Sequence, residues 1–163
     1  MVKKELENDP DNPCFGCGPN TPGGLHLKFF KVGDDIVAET TFGDRFSAWP
    51  GQVHGGVVFA ALECTCQWTY YTLKYRSGPT KKWGMEFVGR VAVGQPAKLV
   101  GKVVRQTPNT VSVHAELLQG GTQRAYMDQD FLVVKSLAEF KKLRPAVEIN
   151  EVMKRNFESI PSC

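Results

Sequence analysis

The sequence has little net charge: 20 Lys+Arg stand against 17 Asp+Glu, a formal +3 dispersed over 163 residues. That argues against a nucleic-acid partner, whose phosphates call for a concentrated basic face. Long uninterrupted apolar runs are missing as well. The longest largely apolar stretch, Gly55 to Tyr75, holds Glu63, Gln67 and Lys74, so it reads as a core helix and not as a membrane span. Near Met1 there is no basic start, apolar middle and small-residue cleavage site in succession, and the five cysteines are an odd set. A reducing, cytoplasmic setting is expected. Internal repeats and low-complexity blocks are also lacking. What is present, with 42% hydrophobic, 10% aromatic and 23% charged residues, is the profile of one soluble domain large enough to need no disulfide or structural metal.

Residues 1–24 are polar and rich in Pro, Asp and Asn, the composition of a surface arm, with Cys14-Phe15-Gly16-Cys17-Gly18 as its distinctive feature. The main domain is expected over 25–135 and a helical tail over 136–163. Leu25, Leu27 and Phe29 alternate with His26 and Lys28, Gly33-Asp34-Asp35 makes a turn, and Ile36, Ala38, Thr40 and Phe42 alternate with Val37, Glu39 and Thr41, which predicts a β-hairpin. A loop from Phe46 to Gly56 leads into Val57–Tyr71, apolar on nearly every face, a helix that must be buried on nearly every face. Arg76-Ser77-Gly78-Pro79 ends it. Strand signals resume around 83–91, 97–105, 110–118 and 123–134, with turns at Gly94-Gln95-Pro96, Pro108-Asn109 and Gly120-Gly121. Such short turns cannot make parallel crossovers, so the expected class is α+β, a curved antiparallel sheet wrapped around a long central helix. An edge strand and a helix flank are left wanting a partner, and a second copy of the chain is the economical one. Beyond Val134, mixed charge and Pro145 predict two helical pieces.

Glu63 is the only acidic residue between Arg45 and Met85, with Phe59, Ala60, Cys66 and Tyr70 as its one-turn neighbours. Burial disfavours the charged form and raises the pKa toward the range useful for proton transfer. The bland alternative is a carboxylate on the one wet strip of the helix. Gly55 and Gly56 open that helix just after His54, where backbone N–H groups have no helical acceptor, so they offer an oxyanion hole or simply a tight turn. His54 either orients the loop, assists a carbonyl or is an ordinary loop histidine. Gly55 and Glu63 are eight residues apart, about 12 Å of rise and roughly 80° around the axis. One substrate carbonyl cannot touch both, so a site using both combines the glycine end of one helix with the carboxylate of another subunit.

His54-Gly55-Gly56, followed by an acid nine positions after the histidine on an apolar helix, resembles the hotdog-fold acyl-CoA thioesterases, in particular the hydroxybenzoyl-CoA and phenylacetate-pathway (PaaI-like) branch. The likeness covers about Leu25 to Val134 and includes Phe87-Val88-Gly89-Arg90-Val91-Ala92-Val93-Gly94. The arm from Cys14 through Leu25 is similar to that of one subgroup. The resemblance implies a hotdog fold and hydrolysis of an acyl-CoA thioester. Glu63 would be nucleophile or general base, Gly55 the amide on the thioester oxygen, and His54 the residue beside it. The resemblance also implies that a dimer shares the site, and a homotetramer stays open. It further implies substrate contacts from Gly56, Gln52, Trp49, Phe59 and Gln67, an acyl pocket also lined by Trp68 and Tyr71, and a basic side chain such as Arg90, Lys81, Lys82, Lys98 or Lys102 on the coenzyme A phosphates. Coenzyme A enters as part of the substrate, and no separate cofactor is expected.

Two positions depart from the family pattern. Ala48 stands where some members carry glutamine, and Gln67 where some carry Ser or Thr. They keep a non-catalytic acyl-CoA binding or sensing protein in view, while the His-Gly-Gly start argues against a hydratase or dehydratase of acyl thioesters on the same fold. Cys14 and Cys17 have zinc-knuckle spacing, yet no second Cys-x-x-Cys or His pair follows, and Cys64 and Cys66, two apart on a helix, point in different directions. No metal is expected. The pair reads as free thiols that pack the arm, with a redox pair as the alternative.

Overall fold

The fold comes from a computed structural model that describes residues 2–73, 78–149 and 151–158. The strands are β1 (Lys3–Glu5), β2 (Phe29–Val32), β3 (Asp35–Thr41), β4 (Ser47–Trp49), β5 (Gln52–Val53), β6 (Thr80–Phe87), β7 (Pro96–Gln106), β8 (Thr110–Gln119) and β9 (Thr122–Leu132). The helices are α1 (Gly55–Tyr71), α2 (Leu137–Leu143) and α3 (Glu151–Glu158). Seven strands form one sheet in the order β1-β2-β3-β7-β8-β9-β6, antiparallel at every pairing, and β4-β5 is a separate small hairpin. The chain runs up one side of the sheet to β3, crosses as α1, enters at the far edge as β6 and returns to the centre at β7. The helix packs across the central strands β3, β7, β8 and β9. None of the described helices is long and apolar enough to cross a membrane.

Short turns close the meander. Gly120 and Gly121 both have positive φ, 59° and 77°, which is the hairpin turn that only residues free of a Cβ adopt without strain. Along β8 every second residue is buried: Val111, Val113, Ala115, Leu117 and Gln119 face the helix. Burial extends over most of the circumference of α1, with Val58, Leu62, Cys66 and Tyr70 buried on one side and Ala61, Cys64 and Trp68 continuing the buried face on the other. The hydroxyls of Thr65 and Thr69 would be costly there if unpaired; they donate to Ala61 O at 2.8 Å and Thr65 O at 2.7 Å. Beneath them on β7 lies Gly101, where a Cβ would come within 2.1 Å of Thr69 Oγ1. Helix and sheet approach as closely as a missing side chain allows.

The structure departs from the sequence expectation at the amino-terminal end. Leu27 and Phe29 are buried and His26 and Lys28 exposed, as the alternation implies, yet no strand forms before Phe29. His26 has φ of 51°, and the N–H groups of Leu25 and Leu27 donate to Phe15 O (2.8 Å) and Gly16 O (3.0 Å) of the arm. The arm itself supplies β1, the sheet's outermost strand, and buries Cys17 in the core. The helix break at Arg76-Ser77, along with Lys74 and Tyr75, lies outside the described residues. Of the tail, α2 and α3 flank Pro145, and residues 159–163 lie outside the description.

Candidate active site

The start of α1 is set by His54, the N-cap, with φ −60° and ψ 134°. Its Nδ1 accepts a hydrogen bond from the Gly56 N–H at 2.9 Å, its backbone N–H donates to Phe46 O at 2.8 Å, and its carbonyl accepts from Val57 at 2.9 Å. Of the roles open to it, orientation of the loop is the one these bonds perform. They also alter the expected oxyanion hole. Gly56 spends its N–H on the cap, whereas the Gly55 N–H has no acceptor among the described residues. A single donor at the positive end of the helix is what the geometry offers. A Cβ at Gly55 would meet the Phe87 ring at 3.3 Å, so the end of edge strand β6 closes on the helix start because glycine stands there.

Glu63, two turns on, sits half-buried between α1, the arm and β6. It lines a cavity of about 270 Å³ with Cys14, Cys17, Gln67, Trp68 and Tyr71. A second depression holds it with Phe59, Trp83 and Gln129. Burial pushes its carboxyl above the ordinary value of 4.5, and the nearby Cys14 thiolate acts in the same direction; the amides of Gln67 and Gln129 favour the ionised form and offset part of this. Because the folded chain then holds this proton more tightly than the unfolded chain, stability is lost as pH rises from 4.5 through the folded pKa. Glu63→Gln is therefore expected to melt above wild type at pH 7, with the gap closing below about pH 4.5 in Tm-versus-pH scans.

The other sequence candidates divide. Phe59 stacks edge-on against Trp83 with centroids 4.8 Å apart and walls the Glu63 depression. Gln67 and Trp68 reach the cavity, each with a buried polar atom that finds no hydrogen bond, Gln67 Oε1 and Trp68 Nε1. Trp49 stands on the outer surface, 72% exposed. Gln52 lies in β5, bridged to Ala92. Arg90 donates to Gly51 O at 3.0 Å and shares an open basic depression with Arg124. Lys102 is paired with Asp35 at 3.6 Å.

Two contributors escaped the sequence reading. Gln129 is almost fully buried between Met127 and Phe131 on the inward face of β9, donates to Thr80 Oγ1 at 2.8 Å and flanks Glu63. The signal was available as a glutamine at an inward position of an otherwise apolar alternation. Arg155 of α3 reaches Asp9 through Nε at 2.7 Å and Asp11 through Nη2 at 3.1 Å, so the tail clasps the arm where both border the cavity.

No protein-family model and no curated protein matches this chain. Solved structures do. A thioesterase superfamily protein superposes with a TM-score of 0.70 at 16% identity over 76% of this chain, which spans only 60% of that longer protein. A phenylacetic acid degradation-related protein of Ralstonia eutropha gives 0.63 at 21% identity, covering 71% of this chain and 93% of its own. A hypothetical thioesterase of Streptococcus pneumoniae, solved with coenzyme A, gives 0.62 at 16% identity, covering 66% and 85%. At such identities the likeness is one of fold: the α+β hotdog fold, a long antiparallel sheet on a central helix.

Proposed function

We propose that this chain hydrolyses acyl-CoA thioesters at a site shared by two subunits. The observation that carries the reading is the pairing, on one buried helix, of an N–H at Gly55 with no acceptor among the described residues and a half-buried acid at Glu63 whose proton is held above the ordinary value. The Gly55 N–H receives the thioester oxygen as it gains charge, and the Glu63 carboxylate either adds to the carbonyl carbon or takes a proton from the water that does. Collapse of the adduct breaks the C–S bond and releases the thiol. Arg90 and Arg124 offer charge for the coenzyme A phosphates. Hotdog-fold neighbours described as thioesterases, one of them with coenzyme A, support the substrate class.

The unbroken helix from Gly55 to Tyr71 keeps the two groups about 12 Å apart along its axis, which is why two subunits are needed. The β6 edge supports the same reading: among the described residues no strand lies on its outer side, and it exposes Trp83 (52%), Phe87 (53%) and the following Val88 (56%). Mixing two inactive chains tests it. Gly55→Pro removes the N–H at the first helical residue, a position proline suits; His54 already has the ψ of 134° that a residue before proline adopts, and the half-exposed Phe87 ring, 3.3 Å from the added Cβ, has room to turn outward. Refolding it with Glu63→Gln should restore about a quarter of wild-type thiol release, since half of randomly paired dimers are mixed and each mixed dimer has one complete site. Dimers that stay inactive would place the site within one subunit, and a wild-type chain that binds acyl-CoA without releasing thiol would remove the enzymatic reading.

A further inference from the structure

We infer that Cys14, Cys17 and Cys64 form a binding site for a thiophilic divalent cation, with zinc as the fitting ion. The inference is independent of the thioester reading. Counted along the chain, the arm holds half a site. In the fold the third sulfur comes from α1, and the three Sγ atoms lie within 4.8 Å of one another. Cys14 Sγ and Cys64 Sγ are 3.6 Å apart. Two sulfurs on a tetrahedral zinc, each at about 2.3 Å, are separated by about 3.8 Å, whereas a disulfide demands about 2.05 Å. The observed spacing is that of a coordination edge.

The surroundings bring hydrogen-bond donors to the sulfurs. Backbone N–H groups of Gly16 and Cys17 are directed at the Cys14 sulfur, and Asn12 Nδ2 donates to Cys17 Sγ at 3.5 Å. The Trp68 Nε1–H, buried and without a hydrogen bond among the described residues, also adjoins the Cys17 sulfur. Such donors are the outer shell that metal thiolates use. Gly16 completes the fit: a Cβ there would lie 2.3 Å from Cys64 Sγ, so only glycine lets the Cys-x-x-Cys turn press onto the helix cysteine. The adjoining cavity carries Glu7 and Glu63, while Asp9 on its wall is paired with Arg155; the two carboxyl groups without a basic partner among the described residues favour a cation there. Three sulfurs leave the fourth position facing that cavity, where water completes the tetrahedron. The ion would tie the arm to α1 one residue from Glu63.

The test uses the full chain, expressed with zinc supplementation and purified under reducing conditions. About one zinc per chain is expected after desalting, and cobalt(II) loaded in its place should give thiolate-to-cobalt charge-transfer absorption and the intense visible bands of a tetrahedral ion. Cys17→Ser and Cys64→Ser, checked for folding by circular dichroism, should weaken zinc binding at least about 100-fold, and Cys66→Ser should not. A chain that takes up neither ion would overturn the assignment, as would zinc retained unchanged in Cys64→Ser. So would isolation of a metal-free Cys14–Cys64 disulfide from the reduced preparation, which would assign the thiols to redox chemistry.

Discussion

Glu63→Gln is expected to cut thiol release from acyl-CoA about 1,000-fold while leaving the chain folded, within the range by which positioned acid–base groups accelerate reactions. The substitution keeps the size and shape of the side chain and its contacts with Gln67 and Gln129, and it removes only the group that can attack or deprotonate. Both chemical routes pass through that carboxylate, so both predict the loss. The pH profile separates a chemical role from a structural one. In the wild type, kcat/KM should rise as Glu63 ionises, with an inflection above 4.5, and the residual rate of Glu63→Gln should lack that inflection. A variant within twofold of wild type on short, medium, long and aromatic acyl-CoAs would remove Glu63 from the reaction.

The largest expected effect on stability lies at the opposite face of the same helix. Gly101→Val should destabilise the fold by about 3 kcal/mol, the upper part of the range for overpacked cores. For a chain of this size that corresponds to a fall in Tm of roughly 6–12 °C. The first added carbon meets Thr69 Oγ1 at 2.1 Å, Thr65 Cγ2 at 3.1 Å and Thr65 O at 3.2 Å. The Thr69 hydroxyl is held by its bond to Thr65 O, and β7 is held between β3 and β8, so neither side yields without breaking hydrogen bonds. Thr69→Ala removes the nearest atom, and the double variant should recover part of the loss. Purely additive effects in that cycle would show that the contact is not the cause.

How far the chain could be read beforehand depended on whether the information was local. The helix from Gly55 to Tyr71 was legible because an apolar run of that length opened by Gly-Gly has few other outcomes. The meander from β7 to β9 was legible because its turns fall at Pro108-Asn109 and Gly120-Gly121. Pairing with distant segments was not. Lys3-Lys4-Glu5 carries no strand signal, and it becomes β1 because β2 presents an open edge to it. Leu25 and Leu27 alternate as a strand does, but their N–H groups are claimed by the arm. Glu63 and Gly55 were visible as an isolated acid and a glycine pair. That His54 consumes the Gly56 donor, that Gln129 faces Glu63 and that Cys64 meets the arm are three-dimensional facts with no trace in spacing.

The clasp between tail and arm bears on how the molecule is made. Asp9 and Arg155 are 146 residues apart. At a synthesis rate of about 5–20 residues per second, the arm waits roughly 7–30 s for its fastener. Cys14 waits for Cys64, 50 positions later, roughly 2.5–10 s at the same rate. The wall of the Glu63 cavity thus joins segments synthesised many seconds apart, and the sheet that supports it, ending at Leu132, is made before Arg155 closes the cavity.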